Sequence, residues 1–493
     1  MNQFPADIQV ALISHTNAGK TALARTMIGI DVGEVRDAPH VTTLAESYPL
    51  LSTPTGDRLM LWDTPGFGDS VRLAKRLAMT GNPIGWFLSE VVDRYLDRPF
   101  WLSQQAVRAA RDSADVALYL VNAAEDPADA GYLAPEMQLL QWLGKPVLIL
   151  LNQMGPPRPF AEEQAEQARW EQLLQVYPVV RQVIALDAFA RCWVHERMFF
   201  CALGALLPAA KKDAYARLVL SWEQENASRL RQAMRLLAQL VLAAACDLEP
   251  VDSAGSGLVA TVLGALSLGG KPEHKRQEAA MDALIGRLQA STSHATAALL
   301  QLYRLDAGVA PKIDARVASA FVLREPLSTT RAGLLGAAIS AGAAKGLALD
   351  ASTGGLSHGL GTVLGGLLGA LTFAGAAFAF NASTDRGAPK VQFSDEMLRN
   401  QVLLGLLRYL AVIHFGRGRG RFEQAQAPAF WLDAVQAAVA ARDHDLAELW
   451  RGARAPAGAQ QAGAALEGSF SELALQILET LYPAPPGSVS SGA

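Results

Sequence analysis

Over the first 200 residues, short apolar runs alternate with stretches of helical period. Residues 8–13 form the first apolar run and lead into a Gly-Lys-Thr turn. Residues 46–51 and 59–62 flank a turn signal, Pro54-Thr55-Gly56-Asp57. Residues 116–121, 147–151 and 183–186 are further runs of the kind that buries both faces of a strand. Residues 21–28 and 103–111 carry helical patterns between them. Strand and helix in alternation predict an α/β fold, a mostly parallel sheet with helices on both faces.

Past about residue 200 the pattern changes. Residues 222–248 read as one long helix with Leu230, Met234, Leu237 and Val241 along a stripe. Residues 275–305 and 397–415 are also helical in period, and no strand alternation is visible. The expectation is a mainly α-helical C-terminal region. Two Gly/Ala-rich, nearly uncharged regions interrupt it, at 254–270 and 332–380. The tail, 483–493, is rich in Pro, Ser and Gly and is expected to be disordered. The boundaries read as 1–205, 206–482 and 483–493.

Composition adds little. A chain of 493 residues is long for one core, so two or three domains are expected. The formal net charge of -4 does not point to nucleic acid. Cys192, Cys201 and Cys246 lack the spacing of a metal site. The apolar, aromatic surroundings of Cys192 and Cys201 suggest buried thiols in a reducing compartment, so the expected location is the cytoplasm. The N-terminal residues show no basic segment followed by an apolar run, so no secretory signal is expected.

The chemistry concentrates after the first strand. Ser14-His15-Thr16-Asn17-Ala18-Gly19-Lys20-Thr21 lies between a strand and a helix that continues through Ala22, the context a P-loop requires. Loop amides and the helix N-terminus cradle phosphate oxygens. Lys20 is placed to reach the β- and γ-phosphates and Thr21 to ligate Mg²⁺. Ser14 stands where the first glycine is usual, at a cost if φ were positive there. A second motif, Trp62-Asp63-Thr64-Pro65-Gly66, ends the strand at 59–62. Asp63 can hold Mg²⁺ through water, and the Gly66 amide can meet a γ-phosphate. Thr43, within Val41-Thr42-Thr43, either closes over Mg²⁺ or is an ordinary loop threonine.

The base site is incomplete. Asn152-Gln153-Met154-Gly155 ends a strand where GTPases carry Asn-Lys-x-Asp. The carboxylate that reads guanine is replaced by Gly155. Hydrogen bonds to a charged group contribute about 1.5–3 kcal/mol, so guanine preference is expected to fall by about one to two orders of magnitude. Asp187-Ala188-Phe189 stands where a base-supporting loop belongs. Asp187 either supplies a carboxylate there or caps a helix.

Over about residues 7–200 these motifs resemble the Era/TrmE branch of bacterial GTPases. The marks are Asn17 inside the P-loop and hydrophobic Phe67 after Asp-x-x-Gly, where Ras-like enzymes place a water-orienting glutamine. The resemblance implies that Asn17 helps ligate K⁺ beside the phosphates and that this ion assists hydrolysis. The variant Asn-Gln-Met-Gly and the helical C-terminal half are similar to a subgroup carrying a C-terminal domain of unknown function. The implied cofactors are GTP, Mg²⁺ and K⁺.

Residues 359–380 hold about 22 positions without a charge, enough to cross a hydrocarbon core. Gly361, Gly365 and Gly369 recur every fourth residue, as in closely packed membrane helices. A helical hairpin at 332–380 that meets the inner membrane and a tightly packed soluble core both fit. Arg417, Arg419 and Arg421 form a cation cluster that reads as a solvated loop or as a contact to lipid, RNA or phosphate. Three functions follow. One is a GTP-hydrolysing switch coupled to a membrane or to an unidentified protein partner. Another is a nucleotide-binding scaffold with negligible turnover. The third is an RNA-linked GTPase of ribosome assembly or tRNA modification. The lack of a KH-like Gly-x-x-Gly element in a basic context after the GTPase-like region, and of the C-terminal cysteine that a TrmE-type tRNA modifier would show, counts against RNA.

Overall fold

The computed structural model describes residues 5–15, 18–28, 46–64, 67, 70–78, 98–155, 157–187, 192–250, 272–310, 312–314, 317, 378–381, 390–415, 428–455 and 458–483. Its contacts divide the chain into two units. The first comprises Met1–Ala227 with Ile413–Glu423, and the second Ser228–Val412 with Gln424–Ala493.

The first unit is built on six strands: β1 (Asp7–Ser14), β2 (Glu46–Ser52), β3 (Arg58–Asp63), β4 (Val116–Asn122), β5 (Val147–Asn152) and β6 (Val180–Ala185). Their order across the sheet is β2-β3-β1-β4-β5-β6. Only β2 runs antiparallel, paired to β3 through the 53–57 turn; every other neighbouring pair is parallel. The helices are α1 (Lys20–Ile28), α2 (Ser70–Ala78), α3 (Arg98–Ser113), α4 (Leu133–Leu143), α5 (Phe160–Leu174) and α6 (Trp193–Leu206), and α7 (Ala209–Cys246) belongs to this unit as far as Ala227.

The unbroken apolar runs bury two faces because side chains alternate along a strand. On one side Val10, Leu12, Leu118, Leu120, Leu148 and Leu150 pack with Leu23 of α1 and with Phe199, Phe200 and Leu203 of α6. On the other, Ala11, Ile13, Tyr119, Val121, Ile149 and Leu151 pack with Met137 and Leu140 of α4 and Trp170 of α5. Helix α6 turns Phe199, Phe200 and Leu203 inward. That leaves Cys201 on the solvent side, so the expectation of a buried thiol fails there; Cys246 is exposed as well.

The start of α7 is tied to this sheet. The Tyr215 hydroxyl donates to the Phe200 carbonyl at 2.6 Å, and Lys211 meets Asp115 at 2.7 Å. The Pro54-Thr55-Gly56-Asp57 turn, with Gly56 at φ +94°, carries Asp57 into the interior. Arg217 of α7 grips that carboxylate through two bonds of 2.8 Å, and the Ala6 amide donates to it at 3.2 Å. Trp222 and Leu218 extend the same apolar cluster.

The second unit is mainly helical. It contains α8 (Pro272–Leu302), α9 (Asp395–Ile413), α10 (Ala429–Ala441), α11 (Asp443–Ala453) and α12 (Ala459–Leu481). Residues 401–412 of α9 are buried all round, as expected of a helix apolar on every face. Its one buried guanidinium among the described residues, Arg408, meets Asp314 at 3.1 Å. Three strands that sequence reading missed, β7 (Leu248–Pro250), β8 (Phe378–Asn381) and β9 (Lys390–Phe393), form an antiparallel sheet ordered β7-β9-β8. At three or four residues each they are too short to display alternation. Strand β8 also corrects the hairpin expectation. Phe378 to Phe380 pair with β9 and are strand, not the end of a helix. The rest of that hairpin, 332–377, lies outside the described residues, as do 254–270 and 416–421. Among the described residues no helix is long and apolar enough to cross a membrane.

Asp57 yields a stability prediction. Arg217 draws its carboxyl down from 3.8 to about 2. A depressed carboxyl stabilises the fold fully above its unfolded value and loses that contribution as pH falls through the folded one. Asp57→Asn is expected to lower unfolding free energy by about 2 kcal/mol in urea melts at neutral pH. The difference from wild type should shrink as pH drops below about 4. A constant difference across that window would show that charge is not the cause.

Candidate functional site

Parallel pairing brings the C-terminal ends of β1, β3, β4, β5 and β6 to one edge of the sheet, where doubly wound folds hold ligands. Ser14 closes β1 in extended backbone, and positive φ occurs among described non-glycine residues only at Gln153 and Arg304. The strain considered for Ser14 is therefore absent.

Gly19 carries the sharp turn. Its φ is +84°, and a Cβ there would stand 2.6 Å from the Asn152 side-chain nitrogen and 3.2 Å from that of Gln153. Asn152 is fully buried at the end of β5 and donates to the Ala18 carbonyl at 2.9 Å. It straps the phosphate loop to the base side of the site.

Lys20 opens α1 as a buried residue, with Ala22 and Leu23 packed beneath the helix. Its Nζ lies 3.9 Å from Asp63 Oδ1. Burial lowers the ammonium pKa, and the Asp63 charge opposes that shift. The Thr21 hydroxyl donates to Asp63 Oδ2 at 3.1 Å. A hydroxyl, a carboxylate and a buried ammonium therefore converge at the mouth of the loop. The oxygens suit Mg²⁺, a hard cation, and the ammonium suits phosphate, so these residues fit a magnesium nucleotide.

Beyond Asp63, Thr64 anchors to the Leu12 carbonyl at 2.8 Å, and the Phe67 amide donates to the Ser14 carbonyl at 3.0 Å. Phe67 is buried in the core on the α4 and α5 side of the sheet. It cannot orient water in the way a glutamine would.

His15 reaches away from the loop. Its Nδ1 lies 2.6 Å from Glu136 Oε1, and its ring stacks on Tyr132 at 4.2 Å. Glu136, fully buried on α4, also accepts from the Tyr119 hydroxyl. Its hydrogen bond with Glu136 raises the His15 pKa, while burial raises that of Glu136. The His15 side chain thus braces the loop against α4. Glu136 and Tyr132 were missed in the sequence. The visible signal was one carboxylate on the apolar stripe of Leu133, Met137 and Leu140.

On the base side, Gln153 and Gly155 both adopt positive φ, 58° and 86°. The Met154 amide between them donates to Asp187 Oδ2 at 2.6 Å. Asp187 therefore clamps the 153–155 loop. It does not cap α6, whose N-cap is Cys192. Glu163 lies on the same side, its carboxyl accepting from the Arg158 amide at 3.1 Å, with its pKa raised by burial. The structure thus brings Ala18, Gly19, Lys20, Thr21, Asp63, Asn152, Gln153 and Asp187 to one edge. Thr16, Asn17, Thr43, Gly66 and Ala188 lie outside the described residues.

Comparison with known proteins agrees with this geometry. A family described as 50S ribosome-binding GTPase matches residues 9–153. A domain of unknown function, DUF3482, matches residues 179–472. Among solved structures, an Era variant from Aquifex aeolicus bound to GDP and aluminium fluoride is 16% identical, with 41% of this chain and 57% of that chain covered and a TM-score of 0.30. Era in complex with MgGDPNP and a segment of 16S ribosomal RNA is also 16% identical, with coverage of 41% and 58% and a TM-score of 0.31. A GTP-binding protein from Sulfolobus solfataricus with GDP is 17% identical, with coverage of 40% and 52% and a TM-score of 0.25. The chain thus spans less than three fifths of the length of the Era structures it matches. No curated protein matches. The N-terminal sheet holds the region that matches the GTPase family, with its P-loop, and the chain as a whole belongs to the DUF3482 family.

Proposed function

We propose that the chain works as a magnesium-dependent GTP switch whose base recognition runs through Asp187 in place of the missing loop carboxylate. The observation that carries this is the Lys20, Thr21 and Asp63 cluster, with its 3.1 Å and 3.9 Å contacts at the mouth of the loop. Thr21 and Asp63 would hold Mg²⁺, which would supply positive charge against that developing on the phosphates. Thr21 and Asp63 would exchange their mutual hydrogen bond for that ion, directly or through water. Lys20 would hold the β- and γ-phosphates from a buried position, where its charge acts strongly. Phe67 N–H to Ser14 carbonyl clips the segment after Asp63 onto the loop, so a change at the phosphates has a short route into that segment. Thr43 and the Gly66 amide are the proposed γ-phosphate sensors, and Asn17 the proposed K⁺ ligand. Coupling to a membrane through 332–377, or to a protein partner, would be the output. Lys20→Ala should reduce nucleotide affinity at least about 100-fold and abolish turnover without unfolding the protein. Wild-type turnover in that variant would remove Lys20 from the site, and no turnover in the wild type would favour the scaffold reading.

Base preference is the second prediction. Asp187→Asn keeps an oxygen for the Met154 amide and removes the charge. Competition titrations should show GTP favoured over ATP in the wild type, and a preference about tenfold smaller in the variant. Equal ratios in the two proteins would free Asp187 of that role. The restoring change, Gly155→Asp, is sterically open, since nothing lies within 4 Å of a Cβ there, although the φ of 86° costs an L-residue about 1–2 kcal/mol. It should raise the GTP preference.

A third measurement addresses the ion. Turnover in K⁺ should exceed turnover in Na⁺ at equal ionic strength, because buried Phe67 leaves the water-orienting role unfilled by that residue. Asn17→Ala should erase the difference. Identical rates in the two salts for the wild type would dismiss the K⁺ assignment.

A further inference from the structure

Cys192 and His195 open helix α6, and His414 follows helix α9. All three belong to the first unit, which takes in Ile413–Glu423. One donor atom from each, the Cys192 Sγ and a ring nitrogen of each histidine, lies within 4.8 Å of the other two. The Sγ and His195 Nδ1 are 3.4 Å apart, and the two imidazoles meet edge to face at 6.3 Å between centroids. Cys192 and His414 are buried, and His195 is half-buried.

We propose that these three side chains bind one divalent metal ion of the zinc class. Tetrahedral zinc, with bonds of about 2.3 Å to sulfur and about 2.0–2.1 Å to nitrogen, sets sulfur and nitrogen donors about 3.6 Å apart and two nitrogens about 3.3 Å apart. The Sγ to Nδ1 separation already matches, and the widest gap must close by roughly 1.5 Å, within reach of ring rotation. A thiolate with two imidazoles selects zinc over magnesium or calcium, which prefer oxygen. Three protein ligands leave a fourth position for water or another donor. The sequence reading passed over the site because it compared cysteines only with one another. Cys192-x-x-His195 has helical spacing, and its third member lies far away in the chain.

Without metal the same residues make a helix cap. The Cys192 amide donates to His195 Nδ1 at 3.1 Å. A neutral imidazole has one lone pair. If Nδ1 binds the ion it cannot accept from the amide, and if Nε2 binds, Nδ1 carries the proton and again cannot accept. Metal therefore replaces the cap. The Cys192 thiol releases one proton, both imidazoles bind neutral, and the amide is left to donate to the thiolate sulfur. Cys192 follows Asp187 by five positions, so the ion would fix one end of the segment leaving the base-side carboxylate.

The test uses the full-length protein carrying Cys201→Ser and Cys246→Ser, which leaves Cys192 as its only thiol. Anaerobic titration with Co²⁺ alone should give a thiolate-to-cobalt charge-transfer band that saturates at one equivalent and is bleached by Zn²⁺. An excess of Mg²⁺ should leave it unchanged, which separates this site from the nucleotide site. Cys192→Ser should abolish the band, and His414→Asn should abolish it or weaken cobalt binding at least tenfold while circular dichroism stays native. No thiolate band, or a band untouched by His414→Asn, overturns the proposal. If His414→Asn fails to fold, zinc content of the parent protein after gel filtration decides: one equivalent supports the site, and a level well below it refutes it.

Discussion

At Gly19 the backbone turns with φ +84°, and a methyl group there would press 2.6 Å from the Asn152 side-chain nitrogen. That close approach sets the distance between the phosphate loop and the end of β5. Asn152 holds the Ala18 carbonyl, and Lys20 and Thr21 follow at the head of α1, where they meet Asp63 from β3. Three strands thus contribute to one point because they run parallel and stop at one edge. The hydrophobic core fixes the strands, and a residue without a side chain lets their loops touch.

Buried carboxylates mark where the elements of this unit are fastened together. Asp57 on the turn is gripped by Arg217, Asp63 faces Lys20 and Thr21, and Glu136 holds His15 and Tyr119. In each case the partner comes from a different element. A buried carboxylate deprived of its partner is costly, so these contacts specify one arrangement of the pieces as much as they strengthen it.

The sheet was legible from residues 8–13, 116–121 and 147–151, because a strand buried on both faces must be apolar throughout. The phosphate loop was legible because its chemistry needs particular residues at fixed spacing after a strand. Other features depended on distance in the chain. Glu136 finds His15 across 121 positions and Arg217 finds Asp57 across 160, and no local pattern announces either pair. Asp187 looked like a possible cap because local rules allow it, whereas the fold presents it with the Met154 amide. Strands of three or four residues, such as β7 and β8, exist only because β9 lies between them.

The match to the GTPase family stops at residue 153, and the DUF3482 match begins at 179. Strand β6, helix α6 and the first turns of α7 fall within the second match, yet β6 completes the first unit's sheet and Phe199, Phe200 and Trp222 fill its core. The seam between the two sequence signatures therefore runs through a single hydrophobic core. A recombination event that cut there would leave β5 as a bare sheet edge and Asp57 without its guanidinium. The border between the two signatures is therefore not a border between the two units of the fold, and a chain cut at that border would divide one core between its pieces.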